Sequence, residues 1–439
     1  MTWKFITLLC IICSSGLSRA EEVLSVEEST SEPVFQYRES GLKEADGNND
    51  DPILEGDILV SNGDGGRKKR QIVKERQYHN KWSEGVYYIF NETAKNKPRL
   101  KGCFLKAARA WELNTCIDFK QGRPEKPDYG YLAVTDEYEY MSHVGRLGEE
   151  QPLSIGESCE TEFGRAIHEV GHALGLYHFH SRYDRDRYIT VRPNSMPHKD
   201  HEVEYAMVLR NESRNYGTSY DYGSVMHYGV NSENPVMIPA NRYHNRTMGS
   251  AIISLVDYWL INKHYGCLEN CAPEKSEKCA NGGFAHPRNC DVCVCPTGYG
   301  GPYCNERPKH CGEGKNATEH WQPLLITIDN RKGNEYYANC TYWIRSPPGT
   351  VIEIKIEEEG IPGGFEEPGC TKAAVEIKTN KNQTLTGYRF CSEDDGGIKL
   401  QSHTNLVPII AYSRDSFTFM ARLKYHHVMK PRGKQERED

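Results

Sequence analysis

Three histidines and one glutamate near the middle of this 439-residue chain have the spacing of a metal-binding group. His168 and His172 are four residues apart, so on a helix both imidazoles lie on one face, with Glu169 beside them. Gly175 tolerates the left-handed backbone that ends a helix, and a turn there would return His178 to the same ion. Three histidines leave the fourth position of a tetrahedral Zn²⁺ ion open for water, which is typical of a catalytic zinc site.

Two neighbouring motifs narrow this interpretation. The metal-binding stretch continues as Ser181-Arg182-Tyr183-Asp184-Arg185-Asp186, and Ser224-Val225-Met226-His227-Tyr228 follows downstream. Together they resemble the astacins, zinc endopeptidases of the metzincin group, whose signature extends past the third histidine in this way. By this resemblance, Met226 forms the Met-turn beneath the zinc. Tyr228 is a loose extra ligand that swings away and donates a hydrogen bond to the oxyanion.

The resemblance implies a hydrolytic mechanism. Zinc would polarise the scissile carbonyl and lower the pKa of its water toward about 7. Glu169, which is not a ligand, would act as general base on that water and return the proton to the leaving amine.

Three alternatives stand beside this interpretation. An amphipathic helix with unrelated histidines is disfavoured by the third histidine and the Met-turn. A matrix-binding protein with an inert catalytic domain is disfavoured because every chemical residue is present. Another metzincin is disfavoured by Tyr228 and by the lack of a cysteine switch in the prosegment.

The chain has the features of an exported protein. Residues 1–20 combine a basic Lys4, an apolar run and a small-residue end, which predicts a signal peptide. Fourteen cysteines remain after it, an even number that suits disulfides in an oxidising compartment. Most of the net charge of -7 lies before residue 71, so the mature chain offers no electrostatic basis for binding nucleic acid or a membrane surface. No later apolar run is long enough to cross a bilayer, and we expect a secreted, extracellular product.

Residues 21–70 form a predicted prosegment that is acidic and poor in aromatic residues. Its last four residues are basic and predict cleavage after Arg70 by a furin-type protease, although such a run is also usual on a solvated face. In astacin zymogens a Phe-x-Gly-Asp segment lies across the cleft, and its aspartate replaces the zinc-bound water. Leu54, Gly56 and Asp57 occupy those positions here. The resemblance therefore makes Asp57 the zymogen latency ligand, with an ordinary Gly-Asp turn as the alternative.

Residues 71–267 are predicted to form an α+β metzincin catalytic domain with a mixed sheet. Val86 to Phe90 and Tyr129 to Val134 are rich in β-branched and aromatic residues and predict strands. A zinc helix is predicted from about Thr161 and a short helix near Leu255 to Lys263. The cleft between the halves of the domain would hold an extended peptide by edge-strand pairing. The apolar face of a further helix consists of Leu100, Cys103, Phe104, Ala107, Ala108 and Trp111.

Two positions depart from the astacin pattern. Phe179 stands where most astacins have a glutamate that helps bind the buried mature N-terminus. Without that carboxylate, we expect Gln71 to stay outside or to cyclise to a neutral pyroglutamate. Relatives often have an arginine near Ala251 that favours acidic residues after the scissile bond, and Arg242 or Arg246 is a candidate to replace it.

Two accessory domains and a tail follow. Residues 268–305 contain six cysteines, and Asn281-Gly282-Gly283 with Cys293-Val294-Cys295-Pro296 resembles an EGF-like module, expected to act as a rigid spacer. A zinc ribbon on Cys290 and Cys293 is the alternative. Residues 311–425 show strand-like alternation and resemble an all-β CUB sandwich. A charged tail, 426–439, ends the chain.

The resemblance also pairs the fourteen cysteines. Cys116 and Cys267 match the family's long-range bridge. A second family bridge lacks its cysteine near Met141, which leaves Cys103 to pair with Cys159. The pairs expected in the accessory domains are Cys271–Cys290, Cys279–Cys293, Cys295–Cys304, Cys311–Cys340 and Cys370–Cys391.

Further expectations concern ligands and modification. Many CUB domains bind Ca²⁺ through acidic residues, but Thr371 to Ala374 offer none, so no CUB calcium site is expected. The partners would be extracellular proteins as substrates, with docking to matrix or substrate through the CUB domain. Secreted nematode astacins of this arrangement act in hatching, cuticle formation and moulting, or host invasion. Asn-x-Ser/Thr sequences predict N-glycosylation at Asn91, Asn211, Asn245, Asn316, Asn339 and Asn382.

Overall fold

The computed structural model of the chain describes residues 53–55, 57–59, 81–196, 202–211, 213–230, 234–330, 337–414 and 417–430. The predicted signal peptide, Gly56, the cleavage site at Arg70, Gln71 and residues 431–439 of the tail lie outside these ranges. No helix in the described ranges is both long enough and apolar enough to cross a bilayer.

The first domain is built on a seven-stranded mixed sheet. Its strands are β1 (Ile53–Glu55), β2 (Ile58–Leu59), β3 (Val86–Phe90), β4 (Phe119–Gln121), β5 (Tyr131–Thr135), β6 (Tyr140–His143) and β7 (Glu150–Ile155). The order across the sheet is β1-β2-β6-β7-β5-β3-β4. Strand β3 pairs in parallel with β4 and with β5, and β5 pairs in parallel with β7. Strand β6 is antiparallel to β7. The sheet therefore ends at β6 except for the two short strands β1 and β2, which belong to the predicted prosegment.

The same domain contains three helices: α1 (Pro98–Leu113), α2 (Phe163–Ala173) and α3 (Leu255–Tyr265). The predicted apolar face of α1 is confirmed, because all six of its residues are buried. A proline stands at the start of α1, where its missing N–H costs no hydrogen bond. Helix α3 begins with a capping box between Ser254 and Asp257 and ends at Gly266, whose φ is +74°. A short hairpin of β8 (Ile189–Val191) and β9 (Met237–Pro239) lies between α2 and α3 in sequence.

Several boundaries differ from the sequence expectation. Strand β5 starts at Tyr131 rather than Tyr129, because Tyr129 ends a 3₁₀ turn and Gly130 has a φ of +76°. Helix α2 starts at Phe163, two residues after Thr161, because Glu157–Glu160 form a separate 3₁₀ turn.

The disulfide-rich module holds a short helix, α4 (Pro273–Glu277), and a hairpin of β10 (Phe284–His286) and β11 (Asn289–Val294). This module sits at the C-terminal end of α1. Arg288 donates to the carbonyls of Thr115 at 2.7 Å and Ile117 at 2.6 Å, and Nε2 of His286 lies 2.8 Å from the carbonyl of Leu113. A cation at this end of a helix is favourable, because the last carbonyls have no partner within the helix.

The last domain is a sandwich of two β-sheets. Its strands are β12 (Gly314–Asn316), β13 (Gln322–Asp329), β14 (Tyr337–Arg345), β15 (Thr350–Ile356), β16 (Ala373–Ile377), β17 (Tyr388–Phe390), β18 (Lys399–Gln401), β19 (Leu406–Arg414) and β20 (Thr418–Met429). One sheet has the order β12-β14-β19-β16-β17 and the other β13-β20-β15-β18. Strand β20 continues past the predicted domain end at residue 425, because Val428 pairs with Val351 of β15.

The structure contains disulfides in all three domains. The bonded pairs are Cys103–Cys159, Cys116–Cys267, Cys271–Cys290, Cys279–Cys293, Cys295–Cys304, Cys311–Cys340 and Cys370–Cys391.

The sandwich packs directly against the first domain. Nε of Arg246 lies 3.1 Å from Oδ1 of Asp395, and the amide of Asn241 donates to the hydroxyl of Tyr388 at 2.9 Å. The expectation that the small module acts as a spacer is therefore wrong, since the domains on either side of it are in contact. Arg246, a candidate for binding acidic substrate residues, instead pairs with Asp395 in this interface.

His244 lies buried within that interface. Its ring stacks on Tyr222 of the first domain at 4.1 Å and lies 4.5 Å from Tyr388 of the sandwich. Burial, with a smaller contribution from His227, lowers the pKa of His244 to about 3. The interface therefore contains an uncharged imidazole at neutral pH.

This burial predicts an acid-sensitive interface. His244 would titrate near 6.5 in the unfolded chain, so its stabilising contribution is complete above pH 6.5 and is lost as the pH falls toward 3. One such group costs about 2 kcal/mol of unfolding free energy between pH 7 and pH 5. We expect His244→Phe to lose about 2 kcal/mol less than the wild type over this range, measured by urea unfolding at both pH values. His320→Phe, at an exposed site of the sandwich, is the control. Equal losses in wild type and His244→Phe would contradict the prediction.

Candidate metal centre and active site

Helix α2 and the turn after it bring three imidazoles together. His168 and His172 lie one turn apart on α2, and their ring centres are 4.6 Å apart. Gly175 has a φ of +106°, which lets the chain reverse and place His178 against the same face. Nε2 of His172 is then 3.1 Å from Nε2 of His178. The three rings converge as their spacing predicts.

Backbone carbonyls fix which nitrogen of each α2 imidazole faces the centre. Nδ1 of His168 lies 2.7 Å from the carbonyl of Val225, and Nδ1 of His172 lies 2.7 Å from the carbonyl of Leu176. A carbonyl only accepts, so each Nδ1 donates and each Nε2 keeps its lone pair. Burial also lowers the pKa of His172 to about 4, which keeps that ring neutral.

This donor set fits zinc. Nitrogen atoms of the three histidines and an oxygen of Asp57 all lie within 4.8 Å of one another, as one small ion requires. Nε2 of His168 is buried and makes no hydrogen bond to any residue that the structure describes. A buried atom of this kind costs free energy unless something else binds it, and a metal ion would do so.

Asp57, in the predicted prosegment, lies over the three nitrogens. Its Oδ1 is 2.9 Å from Nε2 of His178, and its Oδ2 is 3.3 Å from Nε2 of His168. The hydroxyl of Tyr228 donates to Oδ1 of Asp57 at 3.1 Å. Burial alone would raise the pKa of Asp57, but the charge of His178 and the closeness of the three imidazoles outweigh it and hold this pKa well below its usual range.

Strand pairing holds Asp57 in this place. The next two residues form β2, where Ile58 is opposite Ser142 and Leu59 opposite His143 in a parallel pairing with β6. Both residues of β2 are buried. The predicted prosegment thus extends the sheet at its free edge and delivers a carboxylate to the three histidines.

Glu169 lies beside the same centre and is almost completely buried. Its Oε2 has no hydrogen-bond partner in the described part of the chain. Burial, and secondly the charge of Asp57, raise the pKa of Glu169 well above its usual range. An uncompensated buried carboxyl is costly, which marks this residue as a candidate for proton transfer.

The Met-turn lies below the histidines and is joined to them. The side chain of Met226 packs against α2 at Gly171, where an added methyl group would lie 2.6 Å from the Met226 sulfur. The amide of Phe179 donates to the carbonyl of Met226 at 2.7 Å, and the amide of Tyr228 donates to Nδ1 of His180 at 3.4 Å. Hydrogen bonds therefore tie the Met-turn to the chain segment that contains the third histidine.

Asp257 holds the Met-turn from the other side, and the sequence analysis missed this role. The Ser224 hydroxyl donates to its Oδ1 at 2.5 Å, and the Val225 amide donates to its Oδ2 at 2.9 Å. Burial raises the pKa of Asp257 to about 6 although these donors lower it. The Ser254-x-x-Asp257 pattern signals a helix cap, but nothing in the sequence shows that the cap also binds a turn 32 residues upstream.

Phe179 and Ala251, the two residues that depart from the astacin pattern, are both buried. Phe179 is buried, packs on the ring of Tyr220 at 5.4 Å and lines a cavity of about 270 Å³ that Asp257 also borders. Ala251 is buried against α2, and an added methyl group at Gly164 would lie 2.5 Å from its Cβ. The expectation for Gln71 concerns a residue outside the described ranges.

Comparison with known proteins agrees with the geometry. A profile of the Astacin family of peptidases matches residues 74–266. The zinc metalloproteinase nas-29 of Caenorhabditis elegans is 34% identical over 82% of this chain and 68% of its own length. This chain belongs to the astacin family. The zinc metalloproteinase nas-31 of the same organism is 38% identical over 82% of this chain, but the matched region is only 59% of nas-31.

The solved structures that are similar to parts of this chain include a protease and a CUB domain. High choriolytic enzyme 1, a hatching enzyme zinc-protease from the medaka Oryzias latipes, is 28% identical, covers 41% of this chain and 88% of its own, and has a TM-score of 0.37. The MASP-1 CUB2 domain, solved with Ca²⁺, is 21% identical, covers 25% of this chain and 96% of its own, and has a TM-score of 0.19.

The position of Asp257 beneath the astacin Met-turn gives a stability prediction. Asp257→Asn replaces one acceptor oxygen by a donor and leaves Ser224 or Val225 without a partner in a buried site. We expect a loss of about 3 kcal/mol in the free energy of unfolding. Urea unfolding of the wild type and the variant would measure it. Asp128→Asn, at an exposed position, should change this free energy by less than about 0.5 kcal/mol, and an equally small loss in Asp257→Asn would refute the prediction.

Proposed function

We propose that this astacin is a secreted zinc endopeptidase that is made as a latent zymogen and cleaves extracellular proteins. One observation carries the proposal: three imidazoles converge on one point, and the Asp57 carboxylate of the prosegment lies against them. His168, His172 and His178 would hold the zinc ion. When bound, zinc would supply a Lewis acid that polarises the scissile carbonyl and acidifies water.

Glu169 would perform the proton transfers. Its Oε2, which has no hydrogen-bond partner among the described residues, would take a proton from a water molecule above the three Nε2 atoms and return it to the leaving amine. The hydroxyl of Tyr228 already donates to an anionic oxygen, that of Asp57, at 3.1 Å. In the active enzyme this hydroxyl would donate to the oxyanion that forms from the scissile carbonyl.

The edge of the sheet would bind the substrate. In the zymogen, β2 pairs with β6 through Ser142 and His143 and thereby covers this edge. Its departure would expose the backbone groups of β6, which can pair with an extended peptide. Binding of this kind uses the main chain of the substrate, so it suits a protease that accepts unfolded or extended segments.

Latency would follow from the same contact. Asp57 lies where water and substrate must enter, and cleavage after Arg70 would free the prosegment from the catalytic domain. Before cleavage the segment binds intramolecularly at a high effective concentration, whereas afterwards it is an ordinary dissociable ligand.

Modification and docking belong to the same proposal. Five of the predicted glycosylation sites are exposed: Asn211, Asn245, Asn316, Asn339 and Asn382. Asn91 is half-buried, and its side-chain oxygen accepts from the Thr93 amide at 3.1 Å, so we propose it as the weakest acceptor. Matrix or substrate docking by the CUB domain, and the lack of a calcium site at Thr371 to Ala374, stay predictions.

The role of Glu169 is tested by removing only its charge. Glu169→Gln keeps the size of the side chain but cannot accept the proton, so kcat on a casein substrate should fall by about 10³-fold. Bound zinc, measured by elemental analysis, should stay at the wild-type level because Glu169 is not among the converging ligands. The exposed Glu160→Gln is the matched control and should keep full activity. Comparable turnover by Glu169→Gln and wild type would refute the mechanism, and zinc binding without turnover by either would favour the inert matrix-binding protein.

Latency is tested in chains that cannot be processed. Arg70→Ala should leave the full-length protein inactive, and adding Asp57→Ala should raise its activity at least about tenfold, because the carboxylate no longer covers the histidines. Intact mass spectrometry would verify that the chains remain uncut. An uncut double variant that is as inactive as Arg70→Ala would exclude Asp57 as the latency ligand.

A further inference from the structure

The C-terminal sandwich contacts the first domain at both ends of the Met-turn. Before the turn, the buried carboxylate of Asp221 accepts from the backbone amide of Thr386 at 3.2 Å and from its hydroxyl at 3.1 Å. After the turn, Gly229 follows Tyr228 directly and lies against Pro368, where an added methyl group would be 2.5 Å from the Pro368 Cβ. The turn that supports the histidines is thus held between two contacts from another domain.

Hydrogen bonds from backbone amides of the turn connect Asp221 to the turn itself. Oδ1 of Asp221 accepts from the amide of Gly223 at 3.1 Å, and its carbonyl accepts from the amide of Ser224 at 3.2 Å. Gly223 also fits closely under Thr386, since an added methyl group would lie 2.4 Å from the Thr386 side chain. Val225, the residue after Ser224, provides the carbonyl that orients His168. A short chain of contacts therefore runs from Thr386 to a metal-binding imidazole.

The second contact is equally close. An added methyl group on Gly369 would lie 1.9 Å from the carbonyl oxygen of Gly249, which in turn packs on Gly229. The loop containing Gly369 is tied down within the sandwich, because Cys370 is bonded to Cys391 and the carbonyl of Cys370 accepts from the Tyr412 hydroxyl at 3.0 Å. The side of the turn after Tyr228 thus rests on a braced loop.

Buried charged residues of the sandwich also face the first domain across this interface. Arg389 of the sandwich is 2% exposed and donates to the hydroxyl of Ser250 in the first domain at 2.8 Å and to Glu376 at 3.2 Å. Lys378 is 1% exposed and lies near both Glu376 and Asp221. Separating the domains would break the hydrogen bond from Arg389 to Ser250 and would move Lys378 away from Asp221.

We propose that the sandwich is a positioning element of the active site, with Thr386 as a positioning residue that holds the Met-turn through Asp221. This inference rests on the proposed peptidase function. It also assigns the β16–β17 edge of the sandwich to the first domain, so any external partner of the CUB domain must bind another face.

The test compares three variants of the processed protein that retains both accessory domains. Thr386→Val removes the hydroxyl that Asp221 accepts from and keeps the shape, whereas Thr386→Ser keeps a donor. Thr350→Val removes another buried hydroxyl, on β15 of the opposite sheet, and serves as the control for general destabilisation. Three quantities are measured well below the melting temperature: kcat, KM, and the rate of zinc release to a chelator.

We expect Thr386→Val to lower kcat and to speed zinc release, each by about fivefold, with KM changed less than about twofold. This is smaller than the effect of removing a direct partner of a metal ligand, because Thr386 acts through Asp221 and the turn. Thr386→Ser and Thr350→Val should match the wild type in all three quantities. If Thr386→Val lowers only the melting temperature, as Thr350→Val does, the inference is overturned.

Two further outcomes keep the test decisive. If Thr386→Val does not fold, Pro368→Gly removes the contact on the other side of the turn and should show the same fall in kcat and the same faster zinc release. If the wild type binds zinc but cleaves nothing, the proposed function fails, while zinc release still tests the positioning role.

Discussion

The hydrogen bond from Nδ1 of His168 to the carbonyl of Val225 is the interaction on which the site depends. It joins the metal-binding helix to the Met-turn, two segments that are 57 residues apart in sequence. It fixes the tautomer of His168, so that Nε2 faces the other two imidazoles. Because a carbonyl can do this only from one position, every contact that places Val225 also places the histidine.

The surrounding structure holds that carbonyl from several directions. Asp257 binds the turn from α3, Gly171 lets the Met226 side chain pack tightly under α2, and the sandwich presses on both ends of the turn. These elements come from three separate parts of the chain. A buried network of this kind is specific in geometry, because each polar group has one good arrangement and losing it leaves a buried partner unsatisfied.

Sequence alone predicts those features that depend on local spacing. The histidines on α2, the reversal at Gly175 and the buried face of α1 follow from helical periodicity and from the backbone freedom of glycine. The family resemblance pointed to Asp57, which the structure places on the histidines. The roles of Asp257 and Thr386 in holding the Met-turn could not be predicted from the sequence, because each residue contacts a segment that is distant in sequence. Thr386 and Asp221, for example, are 165 positions apart. The expected spacer failed for the same reason, since packing between domains has no local pattern.

The contact between Thr386 and Asp221 also has a consequence for biosynthesis. A ribosome makes the histidines, the Met-turn and α3 before it makes the sandwich, so the segment that steadies the turn is among the last to appear. A nascent or truncated chain would contain every chemical residue but would lack this support. The order of synthesis would thus delay a fully formed centre until the whole protein has folded, independently of any block by Asp57.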